Sequence, residues 1–158
     1  MAVASGVFLV DQITKVWARG SLGDGDSFAV IPGLLNLIYA ENTGVAFSRL
    51  SGGGQTGRWV LAGIAAVASA VVLLTVRRTP HESRRILAAS SLFLAGILGN
   101  MANRVWYGFV IDWIDVQFGS WHYPTFNLAD AAICAGAALV IFDMIVRSRQ
   151  KPGEGKIT

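Results

Sequence analysis

The chain is 158 residues long, 53% hydrophobic and 15% charged, with a net charge of +3 and a mean hydropathy of +0.51. Soluble domains carry charge at about 25% of their positions, so a soluble fold is excluded and a single integral-membrane domain is expected over residues 1–158. The positive balance does not point to nucleic acid: the basic residues gather at Arg77-Arg78, Arg84-Arg85 and Arg147 to Lys151, flanking apolar runs, where Lys and Arg set membrane topology.

The first element runs from Met1 through the uncharged stretch to Val10 and then meets Asp11, Lys15 and Arg19. A first span at about 1–18 therefore requires neighbouring helices to shelter its charges. Asp11 and Lys15 stand four apart and can pair on one helix face. No basic n-region precedes the apolar stretch, so it resembles a cleavable signal peptide only weakly. The lead before Asp11 is short, which implies either a short, tilted span or a missing stretch.

Next, Gly33 to Ala40 is short, aliphatic and bounded by turn residues, and it is read as an extended segment. The stretch Ser51 to Gly57 has the glycine spacing of a phosphate loop. Arg58-Trp59 stands where that loop requires Lys-Ser/Thr, so nucleotide binding is not expected. Trp59 to Val76 and Ile86 to Asn103 are uncharged runs of 18 residues each. At 1.5 Å per residue each covers about 27 Å, close to the hydrocarbon thickness, so spans are expected at about 59–76 and 86–104. Phe109 to Val116 is a second extended segment, and the two could form a small sheet over the bundle. A last span at about 127–146 holds Asp130 near its start and Asp143 near its end, with Asn127 placed to cap it.

Orientation follows from the arginines. The connection from Arg77 to Arg85 and the C-terminal tail are basic, which places both termini in the cytoplasm and the longer connections, Gly20 to Gly57 and Val105 to Phe126, outside. Gly52 to Gly54 and His122 are accordingly expected on the outer side.

Asp112 and Asp130 are where so apolar a chain should least tolerate charge. A carboxylate at a helix centre in the bilayer costs roughly 2.5 to 3.5 kcal/mol on insertion scales, so it persists mainly where it works or is paired. Asp115 follows Asp112 by three; helical geometry would put the two on one face, whereas strand geometry would send them to opposite faces, so that only one would reach a site. Asn42, Asn100, Arg104 and Asn127 fall at the same end of their elements as the two acids. Structural readings stand beside the functional one: Asp130 as a helix-dipole partner, Asp11-Lys15 as a sheltered ion pair, Arg104 as an interfacial anchor or counter-charge. The single cysteine, Cys134, lies in an apolar run without a nearby base and is expected to be a buried free thiol. His81 and His122 fall on opposite sides, so no metal site is expected, and nothing calls for a cofactor. A competing class is a transport or binding protein using Asp112 and Asp130 as a proton relay, although no further acid lies at mid-depth and no inverted repeat is visible.

Five blocks then carry a resemblance: Asp11-Gln12-Ile13-Thr14-Lys15, Glu41-Asn42-Thr43-Gly44-Val45-Ala46-Phe47-Ser48, Gly99-Asn100-Met101-Ala102-Asn103-Arg104, Val110-Ile111-Asp112-Trp113-Ile114-Asp115 and Pro124-Thr125-Phe126-Asn127-Leu128-Ala129-Asp130. In this order, from about Leu9 to Val146, they resemble the bacterial lipoprotein signal peptidases (type II signal peptidases). The resemblance implies an aspartic endopeptidase of the bacterial inner membrane that cleaves diacylglyceryl-modified prolipoproteins before the lipidated cysteine. It implies Asp112 and Asp130 as catalytic dyad, with Asp11, Lys15, Asn42, Gly44, Asn100, Arg104 and Asn127 binding substrate or supporting the site. The implied fold is an all-α membrane bundle of four transmembrane helices with a small extracytoplasmic β-cradle and a short amphipathic helix. Membrane lipid and a globomycin-type cyclic peptide inhibitor are implied partners of a monomer. One departure stands out: the family usually has Asp where this chain has Asn103, so an impaired paralogue is the alternative within the family.

Overall fold

The computed structural model describes residues 2–44, 55–80 and 83–150. Ser51 to Gly54, Val45 to Ser48 of the second block, His81 and Lys151, all read in the sequence, lie outside those residues. Four helices and four strands follow in order: α1 (Ala2–Leu22), β1 (Phe28–Ile31), β2 (Leu35–Asn42), α2 (Gln55–Arg78), α3 (Arg84–Trp106), β3 (Val110–Phe118), β4 (Trp121–His122) and α4 (Leu128–Gln150). Three of the helices, α2, α3 and α4, are long and apolar enough to cross a membrane.

The buried residues of α1 are Ala4, Asp11, Lys15, Ala18 and Leu22. Their spacing of three, four or seven makes one stripe down the helix, so the two charges sit on its inner face. Leu9, Ile13 and Val16 on the other faces are exposed. α3 is the central helix and packs against the other three. Its inner surface is built from small and polar residues, Ala89, Ser90, Ser91, Ala95, Gly96, Gly99, Asn100 and Asn103, which let backbones approach closely as helices do in lipid. A Cβ at Gly96 would collide with the Ala129 carbonyl, and this contact brings α4 against α3 directly below Asp130.

The strands form one antiparallel sheet in the order β1-β2-β3-β4. The two extended segments read from sequence are β2 and β3, displaced by one or two residues; β1 and the two-residue β4 were not anticipated. In β2–β3, Asn42 lies opposite Val110 and Ala40 opposite Asp112. Past its β2-facing side, β3 meets Phe126, whose carbonyl accepts from the Trp113 and Ile114 amides at 3.0 and 2.9 Å and whose own amide donates to the Ile114 carbonyl at 3.1 Å. That bridge seats the start of α4 against β3.

The structure corrects one expectation: Cys134 is exposed on the outer surface of α4 rather than buried. Apolar composition does not tell the bundle-facing side of a helix from the outward side, and α4 is apolar on both. Among the described residues no further helix matches the short amphipathic one. At the opposite end from the sheet, the buried Asp143 accepts from Arg147 at 2.6 Å and pairs with Arg85 at 3.5 Å, joining α4 to α3.

Candidate active site

The six polar residues and Gly44 expected beside the two aspartates do converge, at the junction of α1, α3, the sheet and the start of α4. Asp112 is 2% exposed. Its Oδ2 accepts from Asn42 Nδ2 at 3.0 Å, the diagonal cross-strand neighbour expected from the register, and its Oδ1 accepts from Asn127 Nδ2 at 2.6 Å. Gly44 (φ 72°) ends β2, and its amide donates to Asn42 Oδ1 at 2.9 Å, holding the Asn42 amide with its NH2 toward Asp112.

Asp130 sits at the third position of α4 and forms a reciprocal cap with Asn127. The Asp130 amide donates to Asn127 Oδ1 at 3.0 Å, and the Asn127 amide donates to Asp130 Oδ2 at 3.3 Å, satisfying two amides that the helix start leaves without intrahelical partners. The other oxygen, Oδ1, accepts from Asn100 Nδ2 at 2.8 Å. Asn127 is fully buried and is the hinge of the cluster: one side chain contacts Asp112, caps the helix bearing Asp130, and donates to Asn100 Oδ1 at 3.2 Å. Burial pushes the Asp112 carboxyl above the usual carboxylate range, with the Asn42 hydrogen bond opposing and the nearby Asp130 charge adding to the rise.

Beneath the two acids lies the α1 pair. Lys15 Nζ is 2.9 Å from Asp11 Oδ2 and donates to Asn100 Oδ1 at 2.9 Å, with both partners of the ion pair essentially inaccessible. Asp11 Oδ1 accepts from the Ala129 amide at 2.9 Å, so one carboxylate secures both Lys15 and the first turn of α4. Arg104 donates from Nη1 to the Asn100 carbonyl at 3.4 Å, and its buried Nε has no partner among the described residues. Both Asp112 and Asp130 lie within electrostatic reach of it.

Asp115 belongs elsewhere, as strand alternation requires. It accepts from Asn36 Nδ2 at 3.0 Å and meets His122 Nδ1 at 2.9 Å. The His122 contact, with Asn36 assisting, holds the Asp115 carboxyl below its usual range. His122 thereby ties β4 to β3; among the described residues no group of His, Cys, Asp and Glu could hold a metal.

Two contributors escaped the sequence reading. Gln12 lies inside the first block, between Asp11 and Ile13, but was given no role of its own there; its place in that polar turn was its signal. Asn103, noted only as a departure, is 1% exposed and faces Gln12 and the Ile111 amide rather than Arg104. Gly99 packs tightly against the α1 pair: a Cβ there would stand 2.6 Å from Asp11 Oδ2 and 3.2 Å from the Ala129 methyl. Asp11 is held on both oxygens and cannot yield, so Gly99→Ala is expected to destabilise by about 1–3 kcal/mol through overpacking, and to slow turnover. Thermal unfolding in detergent beside a cleavage assay checks this; wild-type values in both would show that Asp11 has room to move.

Comparison with known proteins agrees with the blocks. A family model described as Signal peptidase (SPase) II matches residues 3–146. The lipoprotein signal peptidase of Serratia proteamaculans (strain 568) is 41% identical over 150 residues, spanning 95% of this chain and 88% of its own. That of Escherichia coli (strain K12) is 41% identical over 145 residues, 92% of this chain and 88% of its own. Two solved structures, each described as a bacterial membrane enzyme, superpose with TM-scores of 0.79: one is 28% identical, covering 99% of this chain and 93% of its own; the other is 33% identical, covering 90% of each.

Proposed function

The chain belongs to the signal peptidase II family, the membrane aspartic peptidases that cleave signal peptides from prolipoproteins, and on that premise we propose that Asp112 and Asp130 are its catalytic dyad. The observation carrying the assignment is Asn127, whose side chain donates to Asp112 and caps the turn that presents Asp130. Family membership displaces the proton-relay reading. The closed hydrogen bonding around Asn103 supports an active enzyme over an impaired one.

Two carboxyls in one buried cluster do not both ionise easily, so the pair holds one proton over a pH range that belongs to the pair. The raised pKa of Asp112 suits it to the acid role. The ionised partner takes a proton from a water attacking the scissile carbonyl; the acid donates to the carbonyl oxygen, and the leaving amine is protonated as the tetrahedral species collapses. Arg104, with its unpartnered Nε, faces the charge that develops on that oxygen. Asn42 and Gly44, at the end of β2, stand where an extended substrate backbone would pass. Asn100, Asn127, Lys15 and Asp11 hold the acids in place. The substrate is the diacylglyceryl-modified form, cut before its lipidated cysteine, and a globomycin-type cyclic peptide would compete for the same cleft.

In this reading α1 is the first of four spans, its charges sheltered by α3 and α4. The sheet is an extracytoplasmic cradle, the enzyme works as a monomer within one 1–158 domain, and lipid covers its outward apolar faces. Both termini are cytoplasmic in the inner membrane, and the dyad lies near the outer face. Arg85, Arg147 and Asp143 mark the cytoplasmic end, in keeping with the arginine bias. The functional test is a gel-shift assay of purified protein on a diacylated prolipoprotein, with each dyad position mutated in turn. Topology is tested in a Cys134→Ser background: His122→Cys should label from outside whole cells and Thr79→Cys only after permeabilisation. Outside labelling of position 79 would put the dyad on the wrong face.

A further inference from the structure

Asp112 and Asp130 share an arrangement one residue upstream. The amide of Ile111 donates to Asn103 Oδ1 at 3.2 Å, and the amide of Ala129 donates to Asp11 Oδ1 at 2.9 Å. Each aspartate is therefore anchored, through the backbone amide of the residue before it, to a buried side chain on a neighbouring helix. Gln12 joins the two anchors: its Nε2 donates to Asp11 Oδ2 at 2.8 Å and to the Gly99 carbonyl at 3.2 Å, while its Oε1 accepts from Asn103 Nδ2 at 3.2 Å. An unbroken chain of hydrogen bonds runs from the Ile111 peptide through Asn103, Gln12 and Asp11 to the Ala129 peptide.

We infer that Gln12 is a positioning residue that sets the separation of the two carboxylates by linking the anchors of the peptides that carry them. The inference rests on the assignment of Asp112 and Asp130 as the dyad. The link has a fixed polarity. Reversing the Gln12 amide would set its oxygen against the Asp11 carboxylate and its NH2 against that of Asn103, so only one orientation satisfies both ends. An acid at 103 would have no proton for Gln12 Oε1, which accounts for the neutral residue at that position in this chain.

Geometry at a reacting centre acts on turnover more than on binding, because small misplacements of catalytic groups are felt in the transition state. Gln12→Met, similar in length and unable to hydrogen-bond as an amide does, is expected to lower kcat about tenfold with KM within about twofold. Gln12→Glu gives a readout that general loosening of the bundle would not. A protonated glutamic acid donates to Asp11 and accepts from Asn103, restoring the link, whereas a glutamate has no proton to give and repels Asp11. Asp11 is the charged group that Gln12 touches; the other charges of the cluster are Lys15 on α1, Arg104 on α3, Asp112 on β3 and Asp130 on α4.

The experiment measures kcat and KM of the full-length enzyme on a diacylated prolipoprotein for wild type, Gln12→Met and Gln12→Glu from pH about 10 down to about 6, a range crossing the values of about 8–9 that buried glutamic acids reach. The ratio of Gln12→Glu to wild-type kcat should rise several-fold as pH falls. A flat ratio overturns the inference, and decides alone should Gln12→Met fail to fold; so does a wild-type kcat for Gln12→Met. Asp112→Asn and Asp130→Asn run in the same assay separate the two levels. If they keep turnover, the dyad assignment itself fails, whereas inactive dyad variants beside a fully active Gln12→Met refute the link alone.

Discussion

Asp112→Asn and Asp130→Asn will each lower cleavage of a diacylated prolipoprotein at least about a hundredfold, roughly 2.7 kcal/mol of barrier, as expected when an acid or base is removed from the transition state. An amide fills the same volume but can neither take a proton from water nor give one to a leaving amine. Stability should change far less. At position 112 both carboxylate oxygens accept from amide donors, Asn42 and Asn127, so an asparagine must turn an NH2 toward one of them and give up a hydrogen bond worth about 1 kcal/mol net. At position 130 the loss is similar: one oxygen remains to accept from either Asn100 or the Asn127 amide. Each variant should thus melt in detergent within about 2–4 °C per kcal/mol lost. Rate and melting temperature measured on the same preparations decide the matter. More than about a tenth of wild-type rate in either variant, only 1.4 kcal/mol of barrier, is incompatible with a two-carboxyl mechanism.

The parts of this architecture legible in the sequence are those written in local pattern. The runs 59–76 and 86–103 are uncharged and arginine-bounded, and the structure has helices across both. Asp11 and Lys15 four apart, and Asn127 three before Asp130, are spacings whose partners lie on the same helix, and both contacts form. Reading Phe109 to Val116 as a strand was enough to separate Asp112 from Asp115, and the segment is one. What depends on distant partners was not visible. β4 is two residues long, paired with the end of β3 and held there by the reach of His122 to Asp115. The Phe126 bridge that carries α4 to β3 has no sequence signature. The outward side chain of Cys134 reflects a helix whose apolar character is nearly uniform around its circumference.

Asn103 shows the same limit in the site itself. On adjacency alone, an uncharged residue there would leave Arg104 without a neighbouring counter-charge. On a helix, adjacent residues point about 100° apart, and Asn103 faces Gln12 and Ile111 while Arg104 is bonded to the Asn100 carbonyl. If Asp112 and Asp130 are the dyad, the two residues reach it by separate routes: Asn103 through the amide of Ile111, the residue before Asp112, and Arg104 through its charge.

Lys15→Met will be the most destabilising single change in the cluster. The ammonium is 1% exposed and its partner Asp11 is inaccessible. Removing it leaves a carboxylate in the bundle interior facing only the Gln12 and Ala129 donors. Breaking a buried pair from one side costs about 3–5 kcal/mol, because the remaining charge keeps its desolvation penalty without its partner. For a chain of this size that corresponds to a fall in melting temperature of about 10 °C. Turnover should fall as well: Asn100 loses the Lys15 contact to its Oδ1, and its amide orients Asp130. The double variant Asp11→Asn, Lys15→Met distinguishes charge from packing. It removes the stranded carboxylate while keeping an oxygen for the Ala129 amide, so it should melt well above Lys15→Met, since buried pairs replaced on both sides are often near neutral. Thermal unfolding of the wild type, Lys15→Met and the double variant in one detergent gives the comparison. A double variant no more stable than Lys15→Met would mean that Lys15 supports the bundle by its packed methylene stem and its bond to Asn100, with the charge of Asp11 already satisfied by the amides around it.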